Sequence, residues 1–369
     1  MNFLYFSDAN PQGSGYWTIC RNISQRLVAR GHSVVVLGLN YKKTPHNYPF
    51  RLVPTDTRIL RTQIETIKQS QWPDVLIMAH DVPYQVQFTS WFAGKGVAQY
   101  VGLFPVEAGP LKEIREWTDH IQLMDKGLVI SEFGQRECVE AGLINTSFLP
   151  VGIDSFWHTP DPDYREVLRK DIGLDGKFVV MTVGANHLRK NLSAGIQIMS
   201  QLKARIPNVH YLLIAEPTPR TIGWSLPELA ERYGLENNIS VILNRPTDDA
   251  LLRFYQASDA YLCTSHAEGL GLPLLESMAC GLPVVAGNWT AMTELLDCGR
   301  GILVDSEYGF IDPFGNNNRY FISVERAVEA LEMLYNDKAL SQSIREKALF
   351  FVQSRTFDRA TDVLLTALR

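Results

Sequence analysis

The sequence contains few cysteines, and none of them stands at the spacing of a metal site. No Cys-x-x-Cys pair and no pair of histidines four positions apart occurs, so a structural zinc site is not predicted. An odd number of cysteines spread along the chain argues against a disulfide framework and is typical of a reducing compartment. The five are Cys20, Cys138, Cys263, Cys280 and Cys298.

Long apolar runs and an excess of basic charge are also absent. Nowhere do 18 apolar residues follow one another, and the N-terminus, MNFLYFSDANPQG, has no basic segment, so neither a membrane span nor a secretory signal is predicted. The 35 lysines and arginines are outnumbered by 40 aspartates and glutamates, a net charge of -5. A nucleic-acid partner is therefore not expected. The predicted location is the cytoplasm, with at most peripheral contact with the inner face of a membrane.

The sequence does contain enough apolar material for a large core, arranged as alternating strands and helices. Of the 369 residues, 46% are hydrophobic and 20% are charged, which is typical of a globular protein of two or three domains. The opening segment shows the pattern. The apolar run Phe3–Phe6, the amphipathic stretch Tyr16–Arg30 and the apolar run Val34–Leu39 predict a β-α-β unit.

Uninterrupted apolar runs recur in two series, which predicts two Rossmann-like, doubly wound parallel sheets. Strands that are covered on both faces of a parallel sheet are apolar throughout rather than alternating. The further runs of the first series are Val75–Ala79, Val97–Phe104 and Gly127–Ile130. Those of the second are Phe178–Val183, Tyr211–Ala215, Val241–Leu243, Tyr261–Cys263, Val284–Ala286 and Ile302–Val304.

A segment rich in Asp, Pro, His and Trp separates the two series and marks a domain boundary. We predict an N-terminal Rossmann-like domain over residues 1–155, a linker over 156–176 and a C-terminal Rossmann-like domain over 177–340. Residues 341–369 are predicted to form helices that cross back to the first domain. Two such domains would face each other across a cleft.

The most informative stretch is SHAEGLGLPLLESMACGLPVVAG, which begins directly after a predicted strand. Open α/β sheets bind ligands at the carboxyl ends of their strands. The glycines allow close approach of a ligand, and Pro273 favours a helix start, whose amides suit an anion. Glu268 and Glu276 could then bind sugar or ribose hydroxyls. The plain alternative is an ordinary strand-to-helix turn in which both glutamates interact favourably with the helix dipole.

The same stretch resembles a family signature. Glu268 and Glu276 within EGLGLPLLE, followed by MACGLPVV, are similar to the signature of retaining, nucleotide-sugar-dependent glycosyltransferases of family 4, group 1. Weaker matches include Gly31–Val34 and Ser131–Gly134. The resemblance implies an α/β protein of the GT-B fold, whose N-terminal domain binds the acceptor and whose C-terminal domain binds the nucleotide sugar.

For the donor, the resemblance implies different roles for the two glutamates. Glu276 would accept hydrogen bonds from the ribose hydroxyls, and Glu268 would contact hydroxyls of the donor sugar. Backbone amides between the two glutamates would lie near the sugar and the diphosphate. These amides belong to Gly269, Leu270, Gly271 and Leu272.

Two basic residues, Arg189 and Lys190, follow the run Phe178–Val183 and suit the charge of a leaving diphosphate. In the family, a lysine at this place has that role. Without the family, two solvated basic residues before a helix are the alternative. Many members also carry an arginine directly after the glycine that matches Gly184, where this chain has Ala185. Arg189 is predicted to supply that charge, or the diphosphate is held less tightly.

Three candidates lie in the first domain. Gly15, in the turn NPQGSG, resembles the family's glycine-rich turn near the donor phosphates or the acceptor, although a plain tight turn is the alternative. Glu107 follows a predicted strand where many relatives have a histidine, and is a candidate for orienting the acceptor or taking its proton. His80, after Val75–Ala79, is a second catalytic candidate, with a purely structural role as its alternative.

The function implied is that of a retaining hexosyltransferase. It would move a hexosyl group from a nucleotide sugar, its co-substrate, to a hydroxyl of a saccharide, a glycolipid or a small molecule, with no metal and no other cofactor. Asp161-Pro162-Asp163 has the Asp-x-Asp spacing of a metal site but falls in the predicted linker. The alternatives are a sugar phosphorylase or epimerase of the same fold, or an inactive module that binds a nucleotide sugar.

Overall fold

The computed structural model describes residues 1–10, 14–71, 73–92, 99–216, 223–313 and 315–369, and it divides the chain into two compact units. The first unit comprises Met1–Gly152, Pro313–Asn317 and Arg355–Arg369. The second comprises Ile153–Asp312 and Asn318–Ser354. The segment 156–176, predicted as a linker, is part of the second unit, and the C-terminal segment of the first unit begins at Arg355, whereas residue 341 was predicted.

The first unit is built on a seven-stranded parallel sheet. Its strands are β1 (Asn2–Asp8), β2 (Ser33–Leu39), β3 (Arg51–Thr55), β4 (Val75–Ala79), β5 (Gln99–Phe104), β6 (Lys126–Val129) and β7 (Thr146–Phe148). Their spatial order is β3-β2-β1-β4-β5-β6-β7, and neighbouring strands are parallel. The chain winds outward in opposite directions from the β1–β4 pair, which makes this pair the switch point where such sheets bind ligands.

Helices connect these strands. They are α1 (Gly15–Ala29), α2 (Leu60–Gln71), α3 (Val82–Phe92), α4 (Arg115–Gln122) and α5 (Glu132–Glu140). In α1, residues Ile19, Ile23 and Leu27 share a face and are buried. The helix ends at Ala29, and Gly31 follows it with a φ of +82°, which suits glycine. The N–H groups of Gly31 and His32 donate to the carbonyls of Val28 and Leu27, which is the Schellman pattern.

The second unit contains a six-stranded parallel sheet with the same winding. Its strands are β8 (Phe178–Ala185), β9 (Val209–Glu216), β10 (Ile239–Ile242), β11 (Ala260–Cys263), β12 (Val284–Gly287) and β13 (Ile302–Val304). The spatial order is β10-β9-β8-β11-β12-β13, so the switch point lies between β8 and β11.

The helices of the second unit cover this sheet. They are α6 (Pro162–Asp171), α7 (Leu192–Arg205), α8 (Leu226–Arg232), α9 (Asp248–Ala257), α10 (Leu272–Ala279), α11 (Thr290–Leu296), α12 (Val324–Asn336) and α13 (Lys338–Gln353). Within the described residues, no helix has the length and apolar character needed to span a membrane.

The final helix, α14 (Phe357–Ala367), belongs to the first unit, where it packs against α1. Arg26 of α1 pairs with Asp358 at 3.0 Å, and Phe357 is buried. Gly152 lies against the backbone just before this helix, and a Cβ atom on Gly152 would stand 2.1 Å from the carbonyl carbon of Thr356. This close approach requires glycine at position 152.

Each predicted apolar run corresponds to a strand, although residues 97–98 of the run Val97–Phe104 lie outside the described residues. The pattern did not predict β3 and β7, which are the two edge strands of the first sheet. Because edge strands are covered on fewer sides, their residues are less apolar and the signal is weaker. It also did not predict a separate two-stranded sheet, β14 (Ser306–Asp312) and β15 (Asn317–Ile322), which we call the ribbon.

Candidate active site

The candidate donor residues lie at the switch point of the second sheet. Lys190 belongs to the short 3-10 turn Leu188–Lys190 that follows β8, and Glu268 lies in the loop that follows β11. Because β8 and β11 are neighbours in the sheet, residues 78 positions apart in the chain come into contact. A small pocket of about 10 Å³ lies between them, lined by Thr182, Val183, Lys190, Leu192, Tyr261, Cys263, Thr264, Ser265, Glu268, Pro273 and Leu274.

The carboxylate of Glu268 is buried and is held by three donors. Its Oε1 accepts hydrogen bonds from Lys190 Nζ at 2.5 Å and from Ser265 Oγ at 2.6 Å. Its Oε2 accepts from Arg189 Nη1 at 3.1 Å. The bonds from Lys190 and Arg189 are charge-assisted, and such hydrogen bonds are stronger than those between neutral groups. Two cations therefore surround one carboxylate, which leaves this cluster with a net positive charge.

These contacts determine the ionisation of Glu268. Burial alone would raise the pKa of its carboxyl, but the charges of Lys190 and Arg189 and the hydrogen bonds from Lys190 and Ser265 outweigh burial. Together they lower the pKa to about 2. Glu268 is consequently an anion at every physiological pH, so it can accept hydrogen bonds and stabilise positive charge but cannot donate a proton.

Backbone hydrogen bonds join the two loops that carry this cluster. The N–H of His266 donates to the carbonyl of Arg189 at 2.8 Å, and the Thr264 hydroxyl donates to the carbonyl of Lys190 at 2.9 Å. The N–H of Glu268 donates to Thr290 Oγ1 at 3.1 Å. Because the bonds fix the backbone on both sides, the charged side chains are positioned before any ligand arrives.

Glu276 occupies a different environment on α10. It is buried, and its Oε2 accepts a hydrogen bond from the hydroxyl of Tyr255 at 3.0 Å. Burial raises the pKa of Glu276 to about 7, although the Tyr255 bond and the charge of Arg245 act in the opposite direction. The two signature glutamates thus differ sharply in acidity, although they are eight positions apart in sequence.

The residues between the two glutamates form the turn into α10. Gly269, Leu270 and Gly271 are buried. Gly271 has a φ of +86°, which favours glycine, and its carbonyl accepts from the N–H of Leu274 at 2.9 Å. The N–H groups at a helix start have no partner within the helix and are available to an anion. Leu272 is the first residue of α10, and Pro273 is the second.

Three polar residues of this site had not been singled out in the sequence. Ser265 binds Glu268, and Tyr255 binds Glu276 from α9. His187 lies on the loop after β8, where burial, and the nearby Arg189 and Lys190, lower its pKa to about 4. Ser265 is part of the signature stretch and could have been noticed there. For Tyr255, no sequence pattern connects it to a residue 21 positions later.

His80 lies at the switch point of the first sheet, directly after β4. Its ring stacks between Tyr16 and Tyr84, with centroid distances of 5.0 and 3.9 Å. Its Nδ1 accepts a hydrogen bond from the N–H of Asp81 at 2.9 Å, and the Tyr16 hydroxyl donates to Asp81 Oδ1 at 2.5 Å. Burial lowers the pKa of His80, against the opposing influence of Asp81 and Asp8. The neutral ring therefore carries its proton on Nε2.

The other candidates of the first unit lie at the same edge of its sheet. Gly15 begins α1 after β1, although residues 11–13 of its turn lie outside the described residues. Glu107 is half-buried in the segment after β5. Since β1, β4 and β5 are consecutive in the sheet, Gly15, His80 and Glu107 follow three adjacent strand ends.

The sequence Asp161-Pro162-Asp163 has a structural use. The carboxylate of Asp161 accepts hydrogen bonds from the N–H groups of Asp163 and Tyr164 at 3.0 and 3.2 Å, which caps α6. Among the described residues, no group of three or more His, Cys, Asp or Glu side chains is arranged to hold a metal ion.

The second unit also carries a family match. The family model of the glycosyl transferases group 1 matches residues 164–312, a range that includes Arg189, Lys190 and both glutamates. This group 1 segment contains the sheet of the second unit from β8 to β13, together with the pocket at its switch point.

Relatives of the group 1 segment include two mannosyltransferases. The chain is 27% identical over 215 residues to the GDP-mannose-dependent α-(1-6)-phosphatidylinositol monomannoside mannosyltransferase of Mycolicibacterium smegmatis, covering 55% of this chain and 53% of that protein. It is 30% identical over 259 residues to the serotype-specific mannosyltransferase WbdA of Escherichia coli, covering 62% of this chain and 32% of that protein. The chain thus spans about half or less of the length of these relatives.

A solved structure extends the likeness to the whole chain. Anabaena HepE in complex with UDP and glucose superposes with a TM-score of 0.77 at 17% identity, covering 100% of this chain and 99% of that one. At that identity the likeness concerns the fold. The protein has the GT-B fold of two Rossmann-like units, as the sequence predicted.

Proposed function

We propose that this protein transfers a hexosyl group from a nucleotide sugar to a hydroxyl acceptor, with retention of anomeric configuration and without a metal. The observation that carries the proposal is the buried cluster of Glu268, Lys190 and Arg189 at the switch point of the second sheet. The mannosyltransferase relatives and the group 1 match support the same class of reaction. Asp161, the first residue of the Asp-x-Asp sequence, is already used to cap a helix.

The cluster matches the charges that develop as a glycosidic bond breaks. The sugar gains positive charge at its anomeric carbon, and the departing diphosphate gains negative charge. Glu268 supplies a fixed anion for the first, and Lys190 and Arg189 supply cations for the second. An ammonium carries three N–H donors and a guanidinium five, so each cation can hold Glu268 and a phosphate oxygen together. Groups that are already oriented stabilise such charges without reorganisation.

The remaining roles follow the position of each residue. Glu276 accepts hydrogen bonds from the ribose hydroxyls of the nucleotide. The backbone N–H groups from Gly269 to Leu272 face the sugar and the diphosphate. In the first unit, His80 acts as a neutral donor, because its Nδ1 already accepts the Asp81 N–H. Glu107 is then the candidate for orienting the acceptor hydroxyl or taking its proton.

Nucleotide binding without a metal is the first test. In EDTA, one of UDP, GDP and ADP is expected to bind in the micromolar range, and added magnesium is expected to leave its affinity unchanged. Calorimetric titration measures both. The matching nucleotide sugars, beginning with GDP-mannose and UDP-glucose, are then incubated with saccharide acceptors, and NMR reports the anomeric configuration of the product.

Each alternative gives a different result in that experiment. A sugar 1-phosphate formed only with inorganic phosphate identifies a phosphorylase, and a sugar with one inverted ring carbon, formed without transfer, identifies an epimerase. Tight nucleotide binding with no turnover of any donor identifies an inactive module. Binding that appears only with magnesium contradicts the metal-independent proposal, and an inverted product contradicts retention.

Replacing Lys190 by alanine is expected to lower kcat about 100-fold or more, with a smaller change in donor KM. The reason is that the ammonium acts mainly on charge that appears in the transition state, as for other preorganised donors. Steady-state kinetics with the donor identified above measures the effects on kcat and on donor KM separately. Lys190→Arg keeps the charge and is expected to recover part of the rate. An unchanged kcat in Lys190→Ala removes Lys190 from the reaction.

A further inference from the structure

The ribbon of β14 and β15 carries a cluster of aromatic rings that the proposed reaction does not use. The ring centroids of Tyr308 and Phe310 lie 5.0 and 5.1 Å from that of Phe321. Tyr308 and Phe310 are two positions apart in β14, so they project from the same face of the strand. The three rings therefore form one continuous surface.

This surface is open to solvent. Tyr308 is 64% exposed and Phe310 is 36% exposed. Single exposed apolar residues are common, but a contiguous group of rings on a short two-stranded sheet marks an interaction site. Aromatic rings are also rigid, so they lose little conformational entropy when a ligand is bound.

The ribbon is joined to the loop that holds Glu268. The N–H of Tyr320 in β15 donates to the carbonyl of His266 at 3.3 Å, and His266 Nδ1 donates to the carbonyl of Tyr320 at 2.8 Å. The His266 ring also lies edge-on to Phe321 and Phe310, at 4.6 and 5.3 Å. His266 is two positions from Glu268. The ribbon is thus attached, through the buried His266, to the loop that carries Glu268.

The charges around the rings favour a neutral, hydroxyl-rich ligand. Arg319 is buried and pairs with Asp312 at 3.0 Å, and Arg326 lies 3.7 Å from Asp305. The first pair lies within the ribbon and the second lies beside it, so neither leaves a basic excess at the described ribbon residues, whereas binding to an anionic lipid surface depends on one. Asp312 is half-buried and can accept hydrogen bonds from hydroxyl groups.

We propose that Tyr308 and Phe310 form a subsite for a saccharide chain. The C–H face of a pyranose ring is apolar and packs against an aromatic face, while the ring's hydroxyls reach acceptors such as Asp312. This inference rests on the proposed function, because it takes a saccharide chain, and not a small molecule, as the acceptor of that reaction. It places the binding of that chain on the unit that holds the donor.

The test compares ring-deleted variants with a matched control. Affinity electrophoresis through gels that contain yeast α-mannan, dextran or galactan is carried out with the wild type, Tyr308→Ala and the double variant Tyr308→Ala/Phe310→Ala. Phe350→Ala on α13 removes a ring that is 79% exposed elsewhere on the unit and serves as the control. Tyr308→Trp keeps an aromatic face.

We expect at least one polysaccharide to retard the wild type, Phe350→Ala and Tyr308→Trp. The affinity of the double variant is expected to fall about tenfold or more, in line with the loss of two ring contacts. Binding of the nucleoside diphosphate is expected to be unchanged in all variants. This readout also shows that they are folded.

Three results would overturn the inference: no retardation of the wild type by any of the polysaccharides, equal retardation of the double variant, or binding of the wild type to phospholipid vesicles that the double variant loses. The proposed function has separate readouts. If the double variant is retarded less than the wild type but no nucleotide sugar is turned over, the saccharide-binding surface stands and the transferase proposal fails. If sugar is transferred but the wild type and the double variant are retarded equally, the transferase proposal stands and the subsite fails.

Discussion

Replacing Glu268 by glutamine is expected to destabilise the protein by about 3 kcal/mol at pH 7 and to abolish transfer. The neutral glutamine amide cannot balance the largely buried charges of Lys190 and Arg189 as the carboxylate of Glu268 does. The magnitude follows from the pKa of Glu268, which folding lowers from 4.5 to about 2, since each factor of ten in acidity is about 1.4 kcal/mol. Removing a partner from a buried ion pair has a similar cost.

The effect has a definite pH dependence. Because the folded pKa lies below the unfolded one, the stabilisation by ionised Glu268 is fully present above about pH 4.5 and is lost as the pH falls toward 2. Chemical denaturation of the wild type and Glu268→Gln measures the difference at pH 7 and its decline at acid pH. A second measurement, release of nucleoside diphosphate from the donor, follows the activity.

A control variant and a double variant test whether the loss of stability comes from the unbalanced cations. Glu329→Gln removes an exposed carboxylate from α12 of the same unit and is expected to change stability by about 0.5 kcal/mol or less. Adding Lys190→Met to Glu268→Gln removes one of the unbalanced cations and is expected to recover part of the lost stability. Equal stability of the wild type and Glu268→Gln at pH 7 contradicts the ion cluster.

Replacing Glu276 by glutamine is expected to have the opposite effect on stability. Folding raises the pKa of Glu276 from 4.5 to about 7, so ionised Glu276 destabilises the protein. That penalty is absent below about pH 4.5, grows as the pH rises toward 7 and stays constant above it. A neutral amide avoids it, so Glu276→Gln is expected to be more stable than the wild type by about 3 kcal/mol at pH 8, with little difference near pH 4.5.

The stabilised variant is nevertheless expected to bind nucleotide less tightly. A carboxylate accepts charge-assisted hydrogen bonds from two ribose hydroxyls. An amide has only one acceptor oxygen, and its two N–H groups are donors. We expect affinity for the nucleoside diphosphate to fall about tenfold or more at pH 8, where Glu276 is ionised in the wild type. Denaturation and calorimetry on the same samples at pH 8 and pH 5 measure both effects.

Two outcomes contradict this assignment. If Glu276→Gln is less stable than the wild type at pH 8, Glu276 is stabilised by charge in the folded protein, as Glu268 is. If the nucleotide affinity is unchanged, Glu276 does not contact the ribose. Tyr255→Phe removes the hydroxyl bonded to Glu276 and is the matched control, because it keeps the carboxylate and the packing of the ring.

The central strands of both sheets and the turn between Glu268 and α10 could be predicted from the sequence because their signals are local. Apolar runs such as Val75–Ala79 are buried on both faces, and the strand at those residues has the predicted bounds. The edge strands β3 and β7 and the ribbon carry shorter or more polar runs. A local pattern does not distinguish such segments from loops.

The acidity of the site residues could not be read from the chain. Glu268 and Glu276 belong to one short signature, yet the carboxyl of one is a strong acid and that of the other titrates near neutrality. The difference depends on Lys190 and Arg189, which lower the pKa of Glu268, and on the burial of Glu276, which raises its pKa. Only folding produces these two environments.

The sequence by itself determined the α/β architecture, the two series of strands and the turn from Glu268 into α10, since each depends on the order of neighbouring side chains. The tertiary structure alone decided which strand ends are adjacent, because the order β10-β9-β8-β11-β12-β13 follows from how the strands pair in space. That order places two cations beside the buried carboxylate of Glu268. Ionisation depends on such distances and on burial, and neither is a property of the chain before it folds.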